Sequence, residues 1–201
     1  GQGVNTKMLQ VAAAIFSIRP DRIRINTTNT YRIANTSPTA ASAAADLNGK
    51  ATESACRQIL ERLKASAAAD LGTEPSAITI ADEQVCVNGV PSSLTWPQLV
   101  MNTYVKRISL SELAHYTPPG LHYNPATEKG HPFAYHVYGT AIVTVTVDCL
   151  RGIYDVDSVK VVHDFGRSMN ELIDRGQCEG GIVQGIGWMT MEEIVYDKEG
   201  R

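Results

Sequence analysis

Two stretches of the chain pair glycine with glutamine, GQGVNTKML at one end and RGQCEGGIVQGIGWMTMEE near the other. A glutamine amide presents a donor beside an acceptor, the pattern that matches the amide edge of a heterocycle such as a pterin. Gln2 in the first stretch and Gln177 in the second each lead into sequence with helical periodicity. The same device at two expected helix starts points to one shared ligand. The second stretch is also dense in glycine: Gly176, Gly180, Gly181, Gly185 and Gly187 each weaken a helix by roughly 1 kcal/mol relative to alanine. Either a ligand or another backbone approaching closely would offset that cost, and tight packing of two helices through a small-residue face accounts for the glycines equally well.

A third stretch, NTSPTAASAAAD, carries a strong helix-start signal, with Ser37 as N-cap and Pro38 at the first helical position. A helix start leaves backbone N–H groups unpaired and carries a partial positive charge, so it is suited to an anion. Only Thr, Ala and Ser follow Pro38, so nothing large keeps a phosphate from those N–H groups, and Thr39 and Ser42 add hydroxyl donors. A well-capped alanine-rich helix lying close against a neighbour is the competing explanation. No other phosphate motif competes: neither GQG nor GIG continues into G-x-G-x-x-G, and the Gly-Lys-Ser/Thr of a P-loop is missing. The five histidines, His115, His122, His131, His136 and His163, match no metal-ligand spacing, and Glu179, Glu192 and Glu193 have no partner readable from spacing. No metal ligand is assigned.

The elements that must position these residues follow from periodicity. Met8, Leu9, Val11, Ala12, Ile15 and Phe16 recur at helical spacing and predict a helix from about Asn5 to Ser17. IRIN, from Ile23, reads as a short strand. A long helix is expected from Pro38, with Leu47, Ala51, Ala55, Ile59 and Leu63 on its apolar face. ITIADEQVCVNG alternates around a turn and ends on Asn88-Gly89, a hairpin signal, and TWPQLVMNTYVKR reads as a short helix capped by Thr95. Between Phe133 and Asp164, Val143, Val145 and Val147 alternate on one side of a Gly152 turn and Val159 and Val161 on the other, predicting a long antiparallel pair. A glycine-rich helix from about Gly176 to Val195 closes the order. Helices and antiparallel strands mix without a βαβ rhythm, so the fold class is α+β.

With 201 residues, 43% of them hydrophobic, the chain can bury a core, and its formal net charge of -3 with scattered Lys and Arg excludes an electrostatic footprint for nucleic acid. No apolar run approaches the roughly 20 residues that span a membrane. Cys56, Cys86, Cys149 and Cys178 form no C-x-x-C pair, which argues against a zinc ribbon or an iron-sulfur cluster and for a reducing, cytoplasmic compartment. The ends, GQG and DKEGR, read as cuts through a longer protein, so residues 1–201 are expected to be a fragment of a single domain.

In order and separation, GQGVNTKMLQVAA, NTSPTAASAAADLNGKA, HPFAYHVYGTA and GQCEGGIVQGIGWMTMEE resemble the molybdenum hydroxylases, the xanthine dehydrogenase and aldehyde oxidase family, over nearly the whole chain. LNGKATESACRQIL and RISLSELAHY lean toward the xanthine dehydrogenase branch. The resemblance implies part of a molybdopterin-binding domain. It assigns the pterin and its phosphate to Gln2, to Thr39, Ala40, Ala41 and Ser42 with the following Ala43, Ala44 and Ala45, and to Gln177. Where the family often has hydroxyl residues after that serine, this chain has three alanines, which leaves only backbone N–H donors there. The implied chemistry is hydroxylation of a purine-like substrate, hypoxanthine or xanthine to urate, with oxygen from water. The electrons pass to iron-sulfur clusters and FAD elsewhere in an oligomeric enzyme. The family's catalytic glutamate, in a Gly-Glu-Pro-Pro motif, and its substrate clamp do not occur in this chain, so no residue here is expected to be catalytic. Two alternatives stand beside this one: the same cofactor with an aldehyde or aromatic thioester substrate, and a non-catalytic assembly domain.

Overall fold

The first helix begins where glycine permits it. Gly3 takes a left-handed conformation, φ 67°, that turns the chain into α1, Val4–Phe16. In a computed structural model that describes residues 2–31, 39–40 and 43–201, the chain divides into two units, Gly1–Pro118 and Pro119–Arg201.

In the first unit α1 ends at Ser17, whose N–H donates to the carbonyls of Ala13 and Ala14. A single 3-10 turn, Pro20–Arg22, follows. IRIN is not a strand, because no neighbouring strand pairs with it among the described residues. Its β-branched residues favour extension only on a sheet.

The long helix, α2, runs Ala44–Leu71 and stops at Gly72, φ 66°, whose N–H donates to Ala68. It therefore starts later than expected. Thr39 and Ala40 lie outside regular structure, while Ser37 and Pro38 fall outside the described residues. Ala44, the first helical residue, is also the first one described there that is buried, so the helix starts where tertiary packing supports it rather than where alanine propensity would allow it.

Three short antiparallel strands follow in spatial order: β1 Ile78–Ala81, β2 Gln84–Val87 and β3 Val90–Thr95. Asp82 and Glu83 join the first two and Asn88 and Gly89 the next two, all four with positive φ, which matches the right-handed strand twist of a two-residue turn. The predicted hairpin is thus two sides of a three-stranded sheet. α3, Trp96–Val105, starts with a capping box in which Thr95 N and Oγ1 both donate to Gln98 Oε1, at 2.9 and 2.7 Å.

The core joins these elements. Leu63, Ala67 and Ala68 of α2 meet Ile78, Val85, Leu94 and Leu99, with Phe16 and Trp96 packed against them. The rings of Phe16 and Trp96 stand 5.4 Å apart. Leu47, expected on the apolar face of α2, is exposed instead. Polar ties finish the unit: Thr103, fully buried, donates from Oγ1 to Leu99 O, and Lys106 Nζ donates to Asp70 and to the Ser66 carbonyl and hydroxyl.

In the second unit a small hairpin, β4 His122–Asn124 with β5 Lys129–His131, precedes the long pair β6 Gly139–Asp148 and β7 Ile153–His163, which has a bulge at Thr144/Val145. Gly130 is obligatory in the small hairpin, since its φ is +150° and an added Cβ would stand 2.3 Å from His122 O. The last helix, α4, is Glu171–Thr190, capped by Asn170 Oδ1, which accepts from Ile173 N at 3.0 Å. It starts earlier than expected because Asn170 and the acidic first turn supply the cap, and Gly176 is tolerated inside it.

Candidate functional site

α1 and α2 touch near their starts. Met8 Cε lies 3.7 Å from the point a Cβ on Gly49 would occupy, and Thr52 Oγ1 lies 3.5 Å from Met8 Sδ. Farther along both helices, Phe16 packs on the cluster that contains Leu63 and Ala67. The Met8 contact falls about 6 Å from the start of α1 and about 7.5 Å from the start of α2 at 1.5 Å per residue. Both N-termini therefore lie within two turns of that contact.

Gln2 is exposed immediately ahead of α1, and Thr39, Ala40 and Ala43 are exposed ahead of α2. Ala44 is buried and Ala45 half-buried at the helix start, while Ala41 and Ser42 lie outside the described residues. Neither Gly3 nor Ala43 supplies a side chain to the first N–H groups of its helix. Two positive helix ends with no side-chain cap, flanked by a glutamine amide, suit an anion attached to a polar heterocycle. Asp46, exposed on the first turn of α2, is the acidic group nearest in sequence; α1 has none on its first turn.

Gln177 belongs to the second unit, on the exposed side of α4 in its second turn. The expectation that both Gly-Gln pairs open helices therefore holds only for the first. The glycines around it have no close neighbour within the chain: an added Cβ at Gly176, Gly180, Gly181 or Gly185 meets no atom within 4 Å among the described residues, and at Gly187 it meets only the Glu192 carboxylate.

A concavity at the α1 exit collects Arg19 and Arg22, which pair with Glu83, and Arg19 Nε also lies 3.5 Å from Asp21 Oδ1. Arg22 Nη2 donates to Glu83 Oε2 at 2.8 Å, and Arg19 donates from N and Nε to Glu83 Oε1. The Arg22 side-chain hydrogen bond first, and the Arg19 backbone bond second, pull the Glu83 carboxyl down to about 2. This corner ties the α1 exit to the β1–β2 turn. Among the described residues no three His, Cys, Asp or Glu side chains gather as a metal site, and no helix is long and apolar enough to cross a membrane. The sequence reading passed over Gly49. A glycine inside a 28-residue helix was the available signal.

The fold is α+β, and two of its helix starts, at Gly3 and Ala43, lack side-chain caps. The chain belongs to the molybdopterin cofactor-binding domain family, whose model matches residues 1–201. It is 42% identical over 200 residues to xanthine dehydrogenase/oxidase of Mus musculus and 38% identical over 201 residues to xanthine dehydrogenase of Drosophila subobscura. In both comparisons the match covers 100% of this chain and 13% of the relative, so the chain spans about an eighth of their length. Quinoline 2-oxidoreductase from Pseudomonas putida 86 superposes with a TM-score of 0.77 at 26% identity, covering 100% of this chain and 25% of that one. The Cu,Mo-CO dehydrogenase shares the fold, with a TM-score of 0.78 at 24% identity over 100% of this chain and 24% of its own. The residues present fit the cofactor: an exposed amide and two helix starts without side-chain caps are the donor set that a pterin edge and a phosphate require.

Proposed function

We propose that this chain is the cofactor-gripping part of a xanthine dehydrogenase-type hydroxylase that oxidises purines, hypoxanthine and xanthine to urate. The observation that carries the reading is the contact of α1 with α2 at Met8 and Gly49, which brings together the helix start behind Gln2 and the helix start behind Thr39, Ala40 and Ala43. Gln2 pairs with the pterin amide edge, and the backbone N–H groups from Thr39 through Ala45 hold the phosphate. Gln177 is the second amide assigned to the cofactor. When bound, the cofactor supplies oxygen-atom transfer from water. This chain's residues bind and orient it, while iron-sulfur clusters, FAD, the catalytic base and the substrate clamp belong to other parts of the enzyme. That enzyme is proposed to be cytoplasmic and oligomeric. The identity to named xanthine dehydrogenases supports the purine as substrate.

The test uses the full-length enzyme carrying Gln2→Leu or Gln177→Leu, with molybdopterin content and melting temperature as readouts. Each loss of an amide leaves polar cofactor atoms buried and unpaired, at a cost of about 1–3 kcal/mol, or roughly one to two decades of cofactor affinity. Cofactor-replete variants with unchanged turnover would refute the grip. Turnover of an aldehyde in place of xanthine would move the substrate to another branch of the family.

A further inference from the structure

We propose that Met8 and Gly49 are positioning residues that set the spacing between Gln2 and the start of α2. The inference rests on the reading that Gln2 and the Thr39–Ala45 segment share one ligand. Gly49 is buried in the interior of α2, where a glycine weakens the helix by roughly 1 kcal/mol relative to alanine. The Met8 methyl lies over the bare Gly49 backbone, and its sulfur lies beside the Thr52 hydroxyl one turn on. The 3.7 Å separation admits a single methyl at position 49 and nothing longer without moving Met8. At the other end the same two helices are locked, Phe16 against the core around Leu63 and Ala67. A wedge at position 49 therefore acts on a lever whose pivot is the core and whose free end carries Gln2. The helix starts spread apart while the core stays closed. Removing the Met8 side chain acts in the opposite sense and lets the starts close together.

The experiment is made on the full-length enzyme with Gly49→Ala, Gly49→Leu, Met8→Leu, Met8→Ala, the double variant Met8→Ala with Gly49→Leu, and Gln2→Leu. Retained molybdopterin after dialysis is measured by fluorescence of the released, oxidised pterin, and the melting temperature of cofactor-free protein is recorded beside it. Gly49→Ala and Met8→Leu, which conserve the contact, keep wild-type content. Gly49→Leu and Met8→Ala lose about ten- to hundredfold in cofactor affinity, the size expected when one amide contact is misplaced. The double variant, in which the new side chain fills the space that Met8 vacates, regains wild-type content. Wild-type retention in Gly49→Leu or Met8→Ala, with a change in melting temperature alone, overturns the proposal. If Gly49→Leu yields no folded protein, Met8→Ala decides on the same criterion. Loss of cofactor in Gln2→Leu beside wild-type retention in Met8→Ala would sink the positioning role and leave the grip standing. Retention in Gln2→Leu would sink both.

Discussion

In the first unit Leu63, Ile78, Val85 and Leu99 are each less than 2% exposed, whereas Val143, Val145 and Val147 of β6 in the second unit are 49–58% exposed. The two regions have similar apolar patterning in sequence and opposite fates in the fold. Alternating valines identify a strand without saying what covers it. In the first unit two helices close over a three-stranded sheet. The second unit, every residue of which is described, buries no side chain: its strands are paired by backbone hydrogen bonds, and α4 carries no buried residue. A two-stranded ribbon with bare faces is marginal by itself. The chain therefore contains one unit that is stable through its own core and one whose order within these 201 residues is local. The two tryptophans divide between them, Trp96 half-buried at the first core and Trp188 73% exposed on α4, and each reports on its own unit.

The sharpest way to break this comparison is to cut a methyl-rich side chain from each region. Leu99→Ala is expected to destabilise the first unit by about 2–5 kcal/mol, read by urea unfolding of Trp96 fluorescence in a Trp188→Phe background. Val145→Ala should stay within about 0.5 kcal/mol, read from Trp188 in a Trp96→Phe background. Equal costs would end the distinction.

A smaller effect of the opposite sign sharpens it. Gly181→Ala adds a methyl where no atom lies within 4 Å, so in the isolated chain α4 should gain about 0.5–1 kcal/mol, measured by thermal unfolding with circular dichroism. Destabilisation there would show that the glycine face is already covered within the chain.

The smallest effect belongs to the Glu83 corner. Its carboxyl is held below its ordinary 4.5, at about 2, chiefly by the Arg22 hydrogen bond, so the folded state is favoured by the ionised form. That stabilisation is fully present above pH 4.5 and fades as pH falls toward about 2. Wild type should thus lose melting temperature faster than Glu83→Gln across this window, and only in the Trp96 signal. Parallel curves would assign the acid sensitivity to other groups.

Much of the local structure was legible. Thr95 with Gln98, and the period of Met8 to Phe16, specify α3 and α1 because the signals are short-range, and both ends of α1 fall within a residue of expectation. The β6–β7 pair was equally plain around Gly152. Signals that depend on distant partners misled. IRIN has strand composition and no strand beside it, and the Ser37-Pro38 signal lies upstream of a helix that begins where Ala44 becomes buried. The β4–β5 hairpin went unseen because HYN and KGH are too short and polar to alternate visibly. As for the candidate site, Gln2 and the alanine segment could be named from residue type, yet their neighbourhood could not. It arises from the contact of Met8 with Gly49, forty-odd residues away in sequence, which no periodicity of either helix encodes.

The contact of Phe16 with Trp96 has a consequence for the chain while it is being made. The two rings lie about 80 residues apart in sequence, so at roughly 5–20 residues per second the ribosome delivers the second roughly 4–16 s after the first. For that interval α1 has emerged with Met8, Leu9, Val11, Ile15 and Phe16 on it and without the β-sheet and α3 that complete its burial. Its partner in the meantime is α2, whose own core residues Leu63, Ala67 and Ala68 wait for Ile78 through Leu99. The nascent first unit thus passes through a stage of two helices with an open apolar side.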